Sequence, residues 1–247
     1  MRRFILALQF LTIIPLKKKI TFTEEDLGKS MLYFPLVGFV IGGCLVATRI
    51  LLSSILPAGV VDALVVTVLV VITGSMHLDA LADTTDAVAS GKDREGKLKV
   101  MKDTSVGVMG VVSICLVIVL KYVMILALPP SLKNKALLLM PVMGRWAQVM
   151  LAYTAEYAGL TRGLGFPFTE QATVLTLVLA STVTGVIAIA LFMVQGMFVA
   201  AGVLVFMLLY NLFFKRICGG VTGDILGAAT EITEVLVLLL LLVLIKF

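Results

Sequence analysis

Three aspartates at helical spacing are the residues of this sequence whose types and positions point most directly to chemistry. Asp79, Asp83 and Asp86 occupy positions i, i+4 and i+7, which places them within an arc of about 60° on one face of a helix. Like charges on one helix face repel one another unless a cation lies among them, and hard oxygen ligands suit Mg²⁺ or Mn²⁺. The spacing predicts a divalent metal site, and the alternative is a solvated acidic face.

A glycine-rich segment near the C-terminus forms a second candidate site. It contains Gly220, Thr222 and Gly223, and it is followed by Asp224 and Glu231 at i, i+7 spacing. Such a segment at the start of a helix offers free backbone N–H groups and the positive end of the helix dipole to a phosphate. The alternative is a tight turn with close helix packing. Acids on the same helix face favour substrate binding.

Two basic residues and a fourth aspartate follow the acidic face along the chain. Arg94 and Lys102 belong to a basic run, which is predicted to contact an anionic membrane leaflet or, alternatively, a phosphate group. Asp103 follows directly and begins the next apolar segment. Its position predicts that it returns to the site of the first three carboxylates. Residues 77–105 are therefore the predicted active-site segment.

Two single polar residues complete the candidate set, both as substrate-binding residues. Arg145 lies deep in an apolar segment and needs an acid or a bound phosphate as its partner, unless it snorkels toward the interface. His77 lies about 160° around the helix from Asp79. A structural or substrate-contacting role is therefore as well supported for this histidine as catalysis.

The composition shows what kind of chain must hold these residues. It is 60% hydrophobic and only 14% charged, with a mean hydropathy of +1.13. Soluble domains are nearer ~25% charged, so an integral membrane protein is predicted. Its excess of Lys and Arg is read as a record of topology rather than of nucleic-acid binding, because no aromatic residues interleave with them.

Long apolar stretches predict an all-α polytopic membrane protein with about seven transmembrane helices in a single domain, residues 1–247. They lie at residues 31–56, 60–76, 106–128, 136–155, 172–194, 197–214 and 225–245. Only Gln195 and Gly196 separate the fifth and sixth, which predicts a tight hairpin. Gly38, Gly42 and Gly43 predict close helix packing in the first.

The N-terminal residues form a separate case. Residues 4–16 are apolar but too short to cross ~30 Å of hydrocarbon. They predict a short interfacial or re-entrant segment. Thr23 precedes three acidic residues and is the predicted N-cap of a short helix that leads into the first span.

The basic residues also predict an orientation. With the N-terminus in the cytoplasm, the inner face carries fourteen Lys and Arg residues, including Lys17, Lys18 and Lys19, and the outer face carries three, including Lys246. This distribution follows the positive-inside rule. It places residues 77–105, 159–165 and 219–224 on the cytoplasmic side. Acids, basic residues and a phosphate-type loop on one face together indicate transfer of a substituted phosphoryl group.

Three motifs in this chain also resemble the cobalamin synthase family, and the resemblance covers nearly the whole sequence. The motifs are His77-Leu78-Asp79-x-Leu81-Ala82-Asp83-Thr84-x-Asp86, Met101-Lys102-Asp103 followed by Gly107 and Gly110, and Gly219-Gly220-Val221-Thr222-Gly223-Asp224 followed by Glu231 and Glu234.

The resemblance implies a Mg²⁺-dependent transferase of the cytoplasmic (inner) membrane of a bacterium or archaeon. Such an enzyme joins adenosylcobinamide-GDP to α-ribazole or its 5′-phosphate and releases GMP, in the last stage of cobamide assembly. Under this resemblance Asp79, Asp83 and Asp86 hold Mg²⁺, and Asp103 or one of these three accepts the proton. Arg94, Lys102 and residues 219–224 orient the donor and the departing GMP.

Two other functions remain open from the sequence, and so does the formation of a homo-oligomer. A CDP-alcohol phosphotransferase would use the same chemistry, but only Asp83-x-x-Asp86 matches its motif. A cation-coupled transporter would carry acids near the middle of its spans, often in repeated halves. Here Asp79, Asp83 and Asp86 are predicted at the end of a span, which favours the enzyme.

Overall fold

The computed structural model of the protein describes residues 2–15 and 21–245. This described chain forms eleven α-helices and a short 3-10 helix, Met31–Tyr33, but no β-strand. The α-helices are α1 Arg2–Leu11, α2 Glu24–Ser30, α3 Phe34–Leu52, α4 Ala58–Ile72, α5 Met76–Ala89, α6 Arg94–Val100, α7 Val108–Ala127, α8 Pro130–Thr154, α9 Phe166–Gln171, α10 Val174–Cys218 and α11 Gly223–Leu244.

Several of these helices have the length and composition of membrane spans, which confirms the predicted all-α polytopic membrane protein. Within the described residues, five segments qualify: Glu24–Leu52, Val108–Ala127, Pro130–Thr154, Val174–Cys218 and Gly223–Leu244. The pair α4 and α5 qualifies only when its two helices are taken together. The number of seven spans stays a prediction. The orientation does too, and Lys17–Lys19 and Lys246 lie outside the described residues.

The second predicted span differs most from the sequence prediction. Residues 60–76 were expected to form one helix with the acids at its end, but α4 ends at Ile72 and α5 begins at Met76, bent from α4 by 84°. Gly74 and Ser75 have left-handed φ angles of 61° and 58° at the bend, which a continuing α-helix does not allow. The three aspartates therefore lie on a separate helix.

Helix α10 contains the predicted hairpin between the fifth and sixth apolar stretches. It is 45 residues long, and a straight helix of that length would extend over about 68 Å, about twice the membrane core. Its regular conformation is broken at Met193, with φ 51° and ψ −128°. Beyond the break the chain returns on itself, because a Cβ atom at Gly196 would overlap the backbone of Ala188.

Helix α8 lies at the centre of the bundle. Its most apolar window is 89% buried, whereas the corresponding windows of α7 and α10 are only 22% buried. The exposed side chains of α7 and α10 include Leu116, Val186 and Leu209. Such an apolar surface is typical of helices that face lipid. Helix α8 is thus enclosed by protein, and α7 and α10 present their outer faces to the bilayer.

Glycines permit the closest contact of α8 with α3. A Cβ atom at Gly38 would lie 2.5 Å from the carbonyl oxygen of Pro141, and one at Gly42 would lie 2.7 Å from that of Leu137. Predicted close packing is therefore confirmed at Gly38 and Gly42. It is wrong at Gly43, where an added Cβ atom would meet nothing within 4 Å.

This difference within one helix gives a stability prediction. Gly38→Ala should lower the free energy of unfolding by about 1–3 kcal/mol, because the new methyl group overlaps the backbone of α8. Gly43→Ala is the matched control, and it should leave the free energy unchanged or raise it by up to about 1 kcal/mol, since alanine is the better helix former. Unfolding in mixed detergent micelles, followed by circular dichroism, measures both. Equal losses would contradict the packing described above.

The N-terminal helices close one end of the bundle. Helix α1 has ten residues, or about 15 Å, so it is too short to cross a membrane and buries Leu6 and Leu11 against its neighbours. Thr23 is the N-cap of α2, as predicted, and its hydroxyl accepts a 3.1 Å hydrogen bond from the N–H of Asp26. Helices α1 and α2 lie at the end of the bundle where the polar loops meet.

Candidate active site

Helix α5 carries the acidic face and is held against α11 by small residues. A Cβ atom at Gly227 would lie 2.5 Å from the Cβ atom of Ala80, so the two helices approach closely. The close approach brings Asp224, at the start of α11, to the acidic face of α5.

Asp83 lies among the other carboxylates of this site. Its partial burial, followed by the negative charges of Asp79, Asp224, Asp86 and Asp103, raises the pKa of Asp83 to about 7. The side chain of Asp83 is only partly buried. The charge of Asp103 is the smallest of these contributions, and its return to the acidic face stays a prediction. Acids whose charges act on one another in this way favour the binding of a cation.

Asp86 has a structural task that its spacing did not suggest. Its two carboxylate oxygens accept hydrogen bonds of 2.6 Å from the N–H of Gly107 and 2.8 Å from the N–H of Gly110, at the start of α7. A Cβ atom at either glycine would overlap the carboxylate, which explains why glycines stand there. A carboxylate at a helix N-terminus is also favoured by the helix dipole. Asp86 therefore joins α5 to α7.

The predicted metal site is not preformed in this arrangement. Across residues 2–15 and 21–245, no three His, Cys, Asp or Glu side chains are placed to hold a metal ion together. Asp79 and Asp83 nevertheless have suitable chemistry, because no Lys or Arg of the described chain forms an ion pair with either carboxylate. Mg²⁺ is commonly held by one or two carboxylates together with substrate phosphates. The donor atoms therefore fit Mg²⁺, and the ligand assignment stays a prediction.

Lys102 and Asp103 lie on the exposed loop between α6 and α7. Asp103 accepts hydrogen bonds from the N–H of Ser105 at 3.1 Å and from its hydroxyl at 2.9 Å. These bonds hold the pKa of Asp103 below its usual value, so it is a weaker base than Asp83. The ammonium group of Lys102 donates a hydrogen bond to the hydroxyl of Thr161. The polar segments 77–105 and 159–165 are thus in contact.

The glycine-rich segment forms a tight turn between α10 and α11. Gly219 and Gly220 have φ angles of 80° and 148°, both in the region that favours glycine. Thr222 is the N-cap of α11, and its hydroxyl accepts a 3.2 Å hydrogen bond from the N–H of Ile225. The guanidinium of Arg94 lies against Gly219 so closely that a Cβ atom would overlap it. Gly220 and Thr222, predicted to bind substrate, therefore have a structural explanation here.

Two openings meet at the start of α11, and both are lined by Leu164, Gly223 and Asp224. The first, called the aromatic cavity, has a volume of about 160 Å³, and its lining includes Phe10, Phe34, Phe168, His77, Asp79 and Gln148. The second, called the loop cleft, has a volume of about 220 Å³, and its lining includes Lys102, Tyr157, Gly159, Gly163 and Thr222. Asp224 therefore faces both.

Arg145 and Glu231 lie in a buried charge network rather than in the open part of the site. Lys121 of α7 donates hydrogen bonds of 2.6 Å to Glu231 and 2.5 Å to Glu234, both on α11. Arg145 of α8 pairs with Glu234 and is fully buried, so it does not snorkel. Of the two partners considered for Arg145, the structure therefore supplies an acid. Substrate binding by Arg145 and Glu231 stays a prediction, and the structure gives each of them a buried partner of opposite charge.

His77 connects the network to the aromatic cavity. It is 1% exposed, and its Nδ1 lies 3.5 Å from Nη2 of Arg145 while its Nε2 lies 2.9 Å from Nε2 of Gln148. Its contact with the cavity supports a substrate-facing or structural role.

Sequence reasoning assigned no role to Lys121 or Gln148. A lysine inside an apolar span needs an acidic partner. The position of Lys121 therefore predicts an ion pair with an acid of another span. Gln148 lies three residues after Arg145 and therefore on the same helix face. That spacing alone does not distinguish it from an ordinary buried glutamine.

Comparisons with known proteins agree over the length of the chain. The sequence model of the family described as Cobalamin-5-phosphate synthase matches residues 3–242. A protein of Acetivibrio thermocellus named adenosylcobinamide-GDP ribazoletransferase is 34% identical over 240 residues, which is 97% of each chain. One of Geotalea daltonii with the same name is 39% identical over 241 residues, covering 98% of this chain and 97% of the relative. No solved structure matches. With a match to the family over nearly all of its residues and relatives at this level of identity, the chain belongs to the cobalamin-5-phosphate synthase family.

Proposed function

We propose that the protein transfers adenosylcobinamide phosphate from adenosylcobinamide-GDP to α-ribazole or its 5′-phosphate and releases GMP. The family and the names of the relatives support this reaction. The observation that carries it is the meeting of an acidic helix face with two adjoining openings at Asp224. Two openings are suited to two substrates, and the acids lie where a phosphate would be transferred.

In the proposed reaction, a hydroxyl oxygen of the ribazole forms a bond to the phosphorus atom attached to cobinamide. The bond from that phosphorus to the bridging oxygen breaks, and GMP leaves with the electron pair. The hydroxyl proton passes to a carboxylate. Asp224 is the proposed acceptor because it lines both openings, and position takes precedence over pKa in choosing a general base.

The remaining acids and bases have supporting roles. Asp79 and Asp83 would hold Mg²⁺ together with the diphosphate, and the ion would supply neutralisation of phosphate charge. Lys102, in the loop cleft, would orient the same phosphates, and Arg94, which lies against Gly219, is the second basic residue proposed for this task. Asp86 keeps α5 and α7 in register through its two backbone hydrogen bonds.

The proposed location is the cytoplasmic membrane, with the site facing the cytoplasm. The long apolar helices support a membrane protein. Contacts between Lys102 and Thr161, and between Tyr157 and Val221, join the three polar loops at one end of the bundle. The positive-inside distribution favours the cytoplasmic side for that end.

This function is favoured over the two alternatives raised by the sequence. The family match covers the whole chain, which argues against a CDP-alcohol phosphotransferase. Glu231 and Glu234 are the acids buried within a span near the acidic face, and both are paired with Lys121. Acids that are already neutralised by fixed cations are poorly suited to carry a transported ion.

Removal of the metal tests the proposal directly. Purified protein in lipid nanodiscs should release GMP from adenosylcobinamide-GDP and α-ribazole when Mg²⁺ is present, and form a corrinoid that carries the ribazole. EDTA should abolish release and excess Mg²⁺ should restore it. No Lys or Arg that the structure describes pairs with Asp79 or Asp83, so Mg²⁺ is needed to neutralise the phosphate charge beside them. Chromatography of guanine nucleotides measures both. Release that is unchanged by EDTA would contradict the metal requirement, and no release under any condition would contradict the function.

A further inference from the structure

The aromatic cavity has a wall suited to a flat apolar ring. Phe168 of α9 lies 5.1 Å from Phe10 of α1 and 5.3 Å from Phe34 of α3, measured between ring centroids. Met31 and Leu226 extend the apolar lining. Aromatic rings at these separations attract one another, and an aromatic ligand can join them.

Polar side chains also line the cavity, and they are those of His77, Asp79, Gln148 and Asp224. Gln148 is 6% exposed and lines the cavity. Its Oε1 atom has no hydrogen-bond partner in the described chain. A buried amide atom without a partner is costly. This side chain is therefore positioned to meet a ligand.

The neighbours of Gln148 determine which amide atom the cavity receives. Arginine can only donate, so Arg145, 3.5 Å away, requires Nδ1 of His77 to accept and Nε2 of His77 to carry the hydrogen. That Nε2 lies 2.9 Å from Nε2 of Gln148, and two donors would then face each other. Rotation of the Gln148 amide by about 180° makes its oxygen the acceptor. The same rotation turns the NH₂ group toward the place of the unpartnered atom.

Of the side chains that line the cavity, the Gln148 amide is therefore the free hydrogen-bond donor, because His77 donates to Gln148 and ionised Asp79 and Asp224 only accept. The base of a ribazole is a benzimidazole, which is flat and apolar except for one free ring nitrogen that accepts a hydrogen bond. Guanine has donors and acceptors on several edges, and this lining could pair its donors only through Asp79 and Asp224, which the proposed reaction uses for the metal and the proton. Lys102, which can pair with phosphates, lines the loop cleft and not the aromatic cavity.

We propose that the aromatic cavity is the subsite for the base of the acceptor nucleoside, and that the amide of Gln148 donates a hydrogen bond to its free ring nitrogen. The donor's phosphates then lie beside Asp79 and Asp224, where the aromatic cavity meets the loop cleft. This assignment rests on the proposed function and adds where each substrate lies. Gln148 becomes a residue that selects the acceptor.

The test combines a changed residue with a changed substrate. Gln148→Met keeps the size of the side chain and removes the donor, and the α-riboside of indole replaces the ring nitrogen of the base with CH. Each change alone should raise the KM for the acceptor about tenfold, as the loss of one buried hydrogen bond does. Both changes together should cost no more than one, and the KM for adenosylcobinamide-GDP should change less than twofold. Gln195→Met, at the exposed hairpin of α10, is the matched control and should behave as wild type.

Several results would overturn the assignment while GMP release persists in the wild type. They are equal KM values of wild type for ribazole and its indole analogue, additive losses in the combined experiment, or a rise in the KM for the donor instead. The wild-type comparison decides even if Gln148→Met does not fold. If wild type releases no GMP, the proposed reaction fails, and equilibrium dialysis of the benzimidazole and indole nucleosides still decides whether the cavity prefers the ring nitrogen.

Discussion

Asp83→Asn should lower the rate of GMP release by at least about a thousandfold, the scale expected when a charge that acts on phosphoryl transfer is removed. Partial burial, and then the charges of Asp79, Asp224, Asp86 and Asp103, raise the pKa of Asp83 to about 7. Asparagine keeps the shape but contributes no negative charge to a bound cation. The release of GMP under saturating substrates and Mg²⁺ measures the effect.

The same substitution should leave the fold intact, and this separates catalysis from stability. Removing one of several mutually repelling carboxylates relieves repulsion, so the melting temperature in detergent should not fall. The exposed Glu24→Gln on α2 is the control for loss of one negative charge, and it should keep wild-type activity. Full activity in Asp83→Asn, or activity lost only together with folding, would count against a direct role for Asp83.

Arg145→Met should lower the free energy of unfolding by about 3–5 kcal/mol, the usual cost of leaving a buried charge without its partner. Arg145 and Lys121 neutralise Glu231 and Glu234 inside the bundle. Removing one cation leaves two carboxylates with a single ammonium group. The double variant Arg145→Met with Glu234→Gln restores one charge of each sign and should lose less than the sum of its two single variants.

The exposed Arg216→Met provides the matched control for this stability measurement. It is the same substitution at a solvent-exposed position, and it should change the free energy of unfolding by less than about 0.5 kcal/mol. Strictly additive losses in the double variant would show that Arg145 and Glu234 do not interact. Unfolding curves in mixed micelles of constant composition give all four values.

The ends of most apolar helices could be predicted from composition, and the exceptions have physical reasons. Residues 106–128 and 225–245 correspond closely to α7 and α11. Helix α8 begins at Pro130, six residues before the predicted 136, and the additional turns include Lys133, which is buried against Asp62 at 2.5 Å. An ion pair between distant parts of the chain made a polar residue part of the core. The bend at Gly74 and Ser75 was missed because a single glycine inside an apolar stretch is weak evidence for a break.

The site was predictable where one helix determines it and unpredictable where several do. The spacing of Asp79, Asp83 and Asp86 was sufficient to place them on one face of α5. The hydrogen bonds of Asp86 depend on where α7 begins, and the pairing of Glu231 depends on Lys121 of another helix. No local pattern reports such contacts, so the roles of these acids required the structure.

The buried charge network also has a consequence for how the chain is made. Lys121 and Arg145 belong to α7 and α8, whereas Glu231 and Glu234 are synthesised later, on α11. Each cation costs about 2.5–3.5 kcal/mol at the centre of an isolated membrane helix. Until α11 enters the bilayer, Lys121 of α7 and Arg145 of α8 have no acidic partner on α11. A chain that ends before Glu231 therefore keeps two cations without their acidic partners, and α11 supplies both partners.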